Sequence, residues 1–136
     1  MAIVLRQNTQ PVHSPEDIVR IRQVVRTWAV QIGLNLVDQT KIVTAASELA
    51  RNMVDYGGGG DVLMQHVENG IRRGLRLTFE DRGPGIPDVE KAMREGFSTG
   101  TGLGLGLSGA RRLSSEFDIR SKPGEGTRVT ITRWKS

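Results

Sequence analysis

Residues 61–88 read DVLMQHVENGIRRGLRLTFEDRGPGIPD, and their patterning decides the class of fold. DVLMQHV and LRLTFED each alternate side chains with the period of two that suits a strand. The ENGIRRG between them carries turn chemistry, so the pair is expected to form an antiparallel hairpin. The glycines and prolines of DRGPGIPD then break the alternation.

Upstream of the hairpin, residues 2–10 alternate and suggest an edge strand. Ser14, Pro15, Glu16 and Asp17 supply an N-cap, a proline at the first helical position and acids in the first turn, so a helix should start there. Ile18, Ile21, Val25, Trp28 and Ile32 follow at helical spacing, with Gly33 as a stop. Trp28 therefore reads as core and not as a platform for a ligand. A second helix is expected over about residues 38–56, with Ile42, Ala45, Ala46, Leu49 and Met53 as its buried stripe and glycines 57–60 at its end.

Downstream, DVEKAMRE predicts a short helix, and FSTGTGLGLGLSGARRL follows at residues 97–113. Leu107, Ala110 and Leu113 predict a helix over 105–116. FDIRS and TRVTITRW, alternating around KPGEG, predict a second hairpin. Hairpins with helices between them indicate an α+β two-layer sandwich, with helices on one face of a mostly antiparallel sheet.

The length of 136 residues and a hydrophobic content of 37% suit one domain over residues 1–136 with a real core. The chain has no cysteine, which excludes disulfides and thiolate metal sites. No apolar run approaches the ~20 residues of a membrane span, and the N-terminus lacks a basic leader followed by a long apolar region. A soluble cytoplasmic protein that engages no membrane is expected. Net charge is +4, but Lys and Arg are scattered and not massed in one arm, so nucleic acid is not expected as a partner. Arg72, Arg73, Arg111 and Arg112 read as a solvated face or a surface for an acidic partner.

Three places break the structural pattern. Glu48 and Asn52 stand one helical turn apart at the border of the second helix's apolar stripe, an unusual place for a carboxylate. Asp81 closes a strand beside Gly83 and Gly85, where bare backbone lets a flat heterocycle come close and a carboxylate can accept from its amino group. In the third, Gly100, Gly102, Gly104 and Gly106 alternate with Thr or Leu, and successive amides of such a loop can form an anion-binding concavity for phosphate. GLGLSG at 104–109 also satisfies GxGxxG, but no strand precedes it, so the dinucleotide fingerprint is rejected. GxxxxGK[ST], HRD and DFG are absent, which removes the P-loop and the ordinary protein-kinase fold.

Taken in order, ELARNMVDYG, EDRGPGIPD, STGTGLGLGL and the closing GEGT resemble the N, G1 and G2 boxes and the final Gly-Thr of the GHKL ATPase/kinase superfamily, the Bergerat fold. The resemblance covers nearly the whole chain. It implies ATP and Mg²⁺ as cofactors, with Asn52 giving its side-chain oxygen to the metal and Glu48 acting as general base or polarising group for the attacking hydroxyl. Asp81 would accept from the adenine amino group, with Gly83, Gly85 and Ile86 at the adenine wall and Thr127 helping Asp81 through water. Gly102, Leu103, Gly104 and Gly106 would hold the phosphates.

Gyrase-like members carry a transducer domain and sensor histidine kinases a dimerising hairpin with its phosphoacceptor histidine. Neither is seen here, and His13 and His66 read as ordinary residues. The short stretch from Gly85 to Gly102 leaves little room for a long lid, which favours the small serine-protein kinases of the stressosome branch over the anti-sigma kinases. That branch implies STAS-domain proteins of the RsbS/RsbR type as substrate and scaffold, and an RsbU-type serine phosphatase as target. Two other readings are an anti-sigma factor that binds a sigma subunit directly and an ATP-gated adaptor without catalysis. The residues leave open whether part of the first helix's apolar face is a homodimer seam.

Overall fold

The computed structural model describes residues 2–94 and 106–136. Five strands, β1 (Ile3–Val12), β2 (Gly60–Glu68), β3 (Arg73–Asp81), β4 (Glu116–Lys122) and β5 (Gly126–Trp134), form one sheet in the order β1-β2-β3-β5-β4. Every pairing is antiparallel. The helices are α1 (Pro15–Ile32), α2 (Leu36–Asp55), α3 (Val89–Ala92) and α4 (Leu107–Arg112). The α+β class and the order of elements agree with the sequence reading, and β1 is an edge strand.

The helix ends follow from local chemistry. Ser14 accepts the Asp17 N–H at 3.4 Å, while the Asp17 carboxylate accepts the His13 N–H at 2.9 Å. Gly33, in the left-handed conformation, closes α1 with bonds from its own N–H to the Val30 carbonyl and from the Leu34 N–H to the Ala29 carbonyl. The Asn35 side chain caps α2 by accepting from the Asp38 N–H at 2.8 Å. In the β2–β3 turn, the Asn69 carboxamide oxygen accepts the N–H groups of Ile71 and Arg72, which is the turn chemistry that the sequence signals.

The core lies between the helices and one face of the sheet. Ile18, Ile21, Val25, Trp28 and Ile32 of α1 and Ile42, Ala45, Ala46, Leu49 and Met53 of α2 are all buried, as their spacing predicts. They pack on Val62, Met64, Leu75, Leu77, Phe79, Val129 and Ile131 of the central strands. Burial of such side chains is worth ~1.5–3 kcal/mol each.

One sequence expectation fails. The helix expected to continue to residue 116 ends at Arg112. The Ser115 N–H donates to the Thr132 carbonyl at 2.8 Å and Ser115 Oγ accepts the Trp134 N–H at 3.1 Å, so the chain joins the sheet at once and β4 begins at Glu116.

A buried ionic tie holds the far end of α2. Asp38 is 1% exposed and accepts from Arg133 Nε at 2.9 Å and from the Ser136 hydroxyl at 2.7 Å. Burial opposes ionisation of Asp38, but the bonds from Ser136 and Arg133 outweigh it and hold the carboxyl below 3.8.

Candidate nucleotide-binding site

Between α2 and the β3/β5 end of the sheet lies a cavity of about 220 Å³. Its apolar lining comes from Leu49 and Met53 of α2, Phe79 and Val129 of the sheet, and Leu107 of α4. Pro84, Gly85 and Ile86 form a further wall, and Asn52, Tyr56, Asp81 and Thr127 supply the polar groups. A mostly apolar concavity with a few placed polar groups is the form of a small-molecule site.

Asp81 ends β3, where the register pairs it with Gly60 on one side and Thr127 on the other. Its Oδ1 accepts the Gly83 N–H at 2.9 Å. Burial pushes the Asp81 carboxyl above 3.8, the N–H groups of Gly83 and Thr127 pull it part of the way back, and the Glu80 charge raises it further. The carboxylate is therefore poised where a further hydrogen-bond donor would stabilise it.

Close backbone approach explains the glycines around it. A Cβ on Gly57 would lie 2.5 Å from Asp81 Cγ and Oδ2, so any side chain there would displace the carboxylate. Gly85 has φ of 77°, and a Cβ on it would lie 2.2 Å from the Lys122 carbonyl oxygen, which only glycine permits. The wall at residues 84–86 is thus laid directly on the β4–β5 turn, and the Gly124 N–H donates to the Pro84 carbonyl at 2.8 Å.

Of the residues singled out in the sequence, Asn52, Asp81, Gly85, Ile86 and Thr127 line this one cavity. Gly83 does not line it and acts on Asp81 through its N–H. Glu48 is half-buried one turn before Asn52, with Gly106 packed against it: a Cβ on Gly106 would meet Glu48 Oε2 at 2.8 Å. Gly102, Leu103 and Gly104 lie outside the described residues.

Tyr56 and Gly57 look in the sequence like nothing more than a helix end, yet both line the cavity, because the exit of α2 crosses the end of β3. Ser121 stands in β4 and adds a contact behind the wall. Its hydroxyl accepts the Ile86 N–H at 2.7 Å and lies 2.9 Å from Thr127 Oγ1. Nothing in the local pattern of FDIRS marks that role. Among the described residues there is no group of three or more His, Cys, Asp or Glu that could hold a metal, and no helix is long and apolar enough to cross a membrane.

The chain belongs to the histidine kinase-, DNA gyrase B- and HSP90-like ATPase family (HATPase_c), whose pattern matches residues 37–135. Within that class it is 48% identical over 118 residues to the serine/threonine-protein kinase RsbT of Bacillus subtilis (strain 168), covering 87% of this chain and 89% of that protein. An anti-sigma F factor of Thermoanaerobacter sp. (strain X514) is 31% identical over 118 residues, covering 83% of this chain and 82% of the relative. Among solved structures, the RsbU and RsbW domains of Rv1364c from Mycobacterium tuberculosis match with a TM-score of 0.68 and 25% identity over 95% of this chain, which spans 32% of that one. The SiaB-SiaC complex from Pseudomonas aeruginosa matches in fold, with a TM-score of 0.57 and 12% identity over 96% of this chain and 90% of that one.

Proposed function

We propose that the protein is an ATP-dependent serine/threonine-protein kinase that works as a partner switch, using the cavity between α2 and β3/β5 for ATP. The observation that carries this reading is the placement of Asp81 in an apolar cavity whose helical wall also presents Asn52, with Glu48 one turn further along. The 48% identity to the kinase RsbT over most of both chains supports the same conclusion.

In this account Asp81 accepts from the adenine amino group, Gly85 and Ile86 flank the base, and Thr127 lies beside Asp81. Gly102, Leu103, Gly104 and Gly106 supply backbone for the phosphates. The lining fits a hard cation at one point: Asn52 presents a carboxamide oxygen on the cavity wall and would hold Mg²⁺ through it, alongside phosphate oxygens and water. Bound there, Mg²⁺ would supply neutralisation of phosphate charge.

Glu48 takes the proton of a partner's serine or threonine hydroxyl. The hydroxyl oxygen bonds to the γ-phosphorus as the bond from that phosphorus to the β–γ bridging oxygen breaks, leaving ADP and a phosphorylated partner. Most of the rate gain comes from positioning, because the transferred group needs little covalent help. The proposed substrates and scaffold are STAS-domain proteins of the RsbS/RsbR type, the proposed target of the released kinase is an RsbU-like serine phosphatase, and the proposed compartment is the cytoplasm.

Incubation of the purified protein with ATP, Mg²⁺ and such a STAS-domain protein, read by mass spectrometry of the acceptor peptide, tests this function. Phosphoserine or phosphothreonine should form with the wild type and be absent with Glu48→Ala, which still binds ADP. Transfer by Glu48→Ala at the wild-type rate would refute the base. A second reading, direct capture of a sigma subunit, is favoured by the 31% identity to an anti-sigma F factor. Stable co-purification with a sigma subunit, without phosphate transfer to a STAS domain, would establish it instead.

A further inference from the structure

We infer that Ser121 is a positioning residue that makes the cavity selective for 6-amino purines over 6-keto purines, by fixing the hydroxyl proton of Thr127 away from the base. The inference rests on the adenine-nucleotide reading and adds to it how the base edge is chosen.

Ser121 lies on β4 opposite Thr127 of β5 and does not itself line the cavity. Its Oγ has three partners. It accepts the Ile86 N–H at 2.7 Å, it donates to the Gly126 carbonyl at 3.0 Å, and it lies 2.9 Å from Thr127 Oγ1, where either oxygen could be the donor. A serine hydroxyl carries one proton and two lone pairs. With the proton on Gly126 and one lone pair taken by Ile86, the remaining lone pair is filled only when Thr127 donates. That distribution satisfies all three contacts. If Ser121 instead donated to Thr127, the Gly126 carbonyl would lose this bond, at a net cost on the order of 1 kcal/mol.

The consequence lies at the other end of the Thr127 hydroxyl. With its proton committed to Ser121, Thr127 Oγ1 offers the cavity lone pairs alone. The ionised Asp81, its neighbour across the β3–β5 register, also offers only acceptors. Two acceptors side by side suit a base edge that carries N–H donors, directly or through a water. The 6-amino group of adenine has two such donors, whereas a 6-keto oxygen would face lone pairs. Discrimination of this kind is strong because a mismatch leaves polar groups unpaired.

Removal of the Ser121 hydroxyl frees the Thr127 proton to turn into the cavity and donate to a keto oxygen. The test is calorimetric titration with ADP and with IDP, which differ in their bases only by 6-amino against 6-keto with its ring proton. The wild type should favour ADP, Ser121→Ala should narrow the ADP/IDP affinity ratio about tenfold, and Ser121→Thr, which keeps the hydroxyl, should restore it. In a Thr127→Val background the Ser121→Ala change should leave the ratio where it is. Should the alanine variant melt below the working temperature, Ser121→Cys, nearly isosteric with a weak donor and acceptor, should move the ratio the same way. Equal weakening of ADP and IDP by Ser121→Ala, with the ratio unchanged, would reduce Ser121 to support of the Ile86 wall and overturn the inference. A wild type that binds neither nucleotide would overturn the adenine reading and this inference with it.

Discussion

Gly57→Ala isolates the carboxylate of Asp81 from everything else in the cavity. Gly57 is not among the glycines with positive φ, so alanine is acceptable to its backbone and the effect is steric. The new methyl would stand 2.5 Å from both Cγ and Oδ2 of Asp81 and 2.9 Å from its Cβ. Carbon contacts settle near ~3.5–4.0 Å, so the carboxylate must retreat by about 1 Å. It is held by the Gly83 N–H at 2.9 Å, and such a retreat stretches or breaks that bond. Overpacking of this kind costs ~1–3 kcal/mol, of which the smaller freedom of the unfolded chain returns ~0.4–1 kcal/mol. Displacing the acceptor removes a hydrogen bond to a charged group worth ~1.5–3 kcal/mol, which is about a tenfold to hundredfold loss of affinity. Calorimetric titration with ADP, beside a melting curve, separates the two effects. A folded Gly57→Ala protein that binds ADP as tightly as the wild type would refute the placement of the base against Asp81.

Other outcomes follow from named contacts. Asp38→Ala leaves the mostly buried Arg133 guanidinium without its ion pair, so urea denaturation should show a loss of ~3–5 kcal/mol; a loss below about 1 kcal/mol would contradict a structural role for the tie. Because the Asp81 carboxyl is raised by burial, it protonates at higher pH than an ordinary aspartate, so ADP affinity should fall as the pH drops through that raised value, before carboxyls at 3.8 titrate. Asp81→Asn should lack this pH dependence in titrations at several pH values. Burial, with the Arg73 charge next, holds His66 below 6.5. The folded state then takes up its proton later than the unfolded one, so stability is full above 6.5 and declines as the pH falls from there through the lowered value; melting curves of His66→Gln should show a flatter profile.

Much of the fold was legible because its signals are local. The caps at Ser14 and Gly33, the apolar stripes of α1 and α2, and the Asn69 turn each need only neighbours within a few residues. The end of α4 was not legible, since bonds to Thr132 and Trp134 on a distant strand stop it. The candidate site shows the same division. Asn52, Asp81, Gly85, Ile86 and Thr127 could be found because they break helix or strand patterns or stand in ordered motifs. Tyr56, Gly57 and Ser121 could not, because a helix end and a strand serine look ordinary until the fold sets them beside Asp81, Ile86 and Thr127. The Asp38–Arg133 pair spans most of the chain, and no spacing announces it.

The most direct test of the whole account is a crystal structure of the protein with ADP and Mg²⁺. The base should lie between α2 and the Pro84–Ile86 wall, with its 6-amino group in hydrogen-bond reach of the Asp81 carboxylate and the Asn52 side-chain oxygen on the metal. A nucleotide seated elsewhere, or one in this cavity with its phosphates turned away from Asn52 and Glu48, would contradict it.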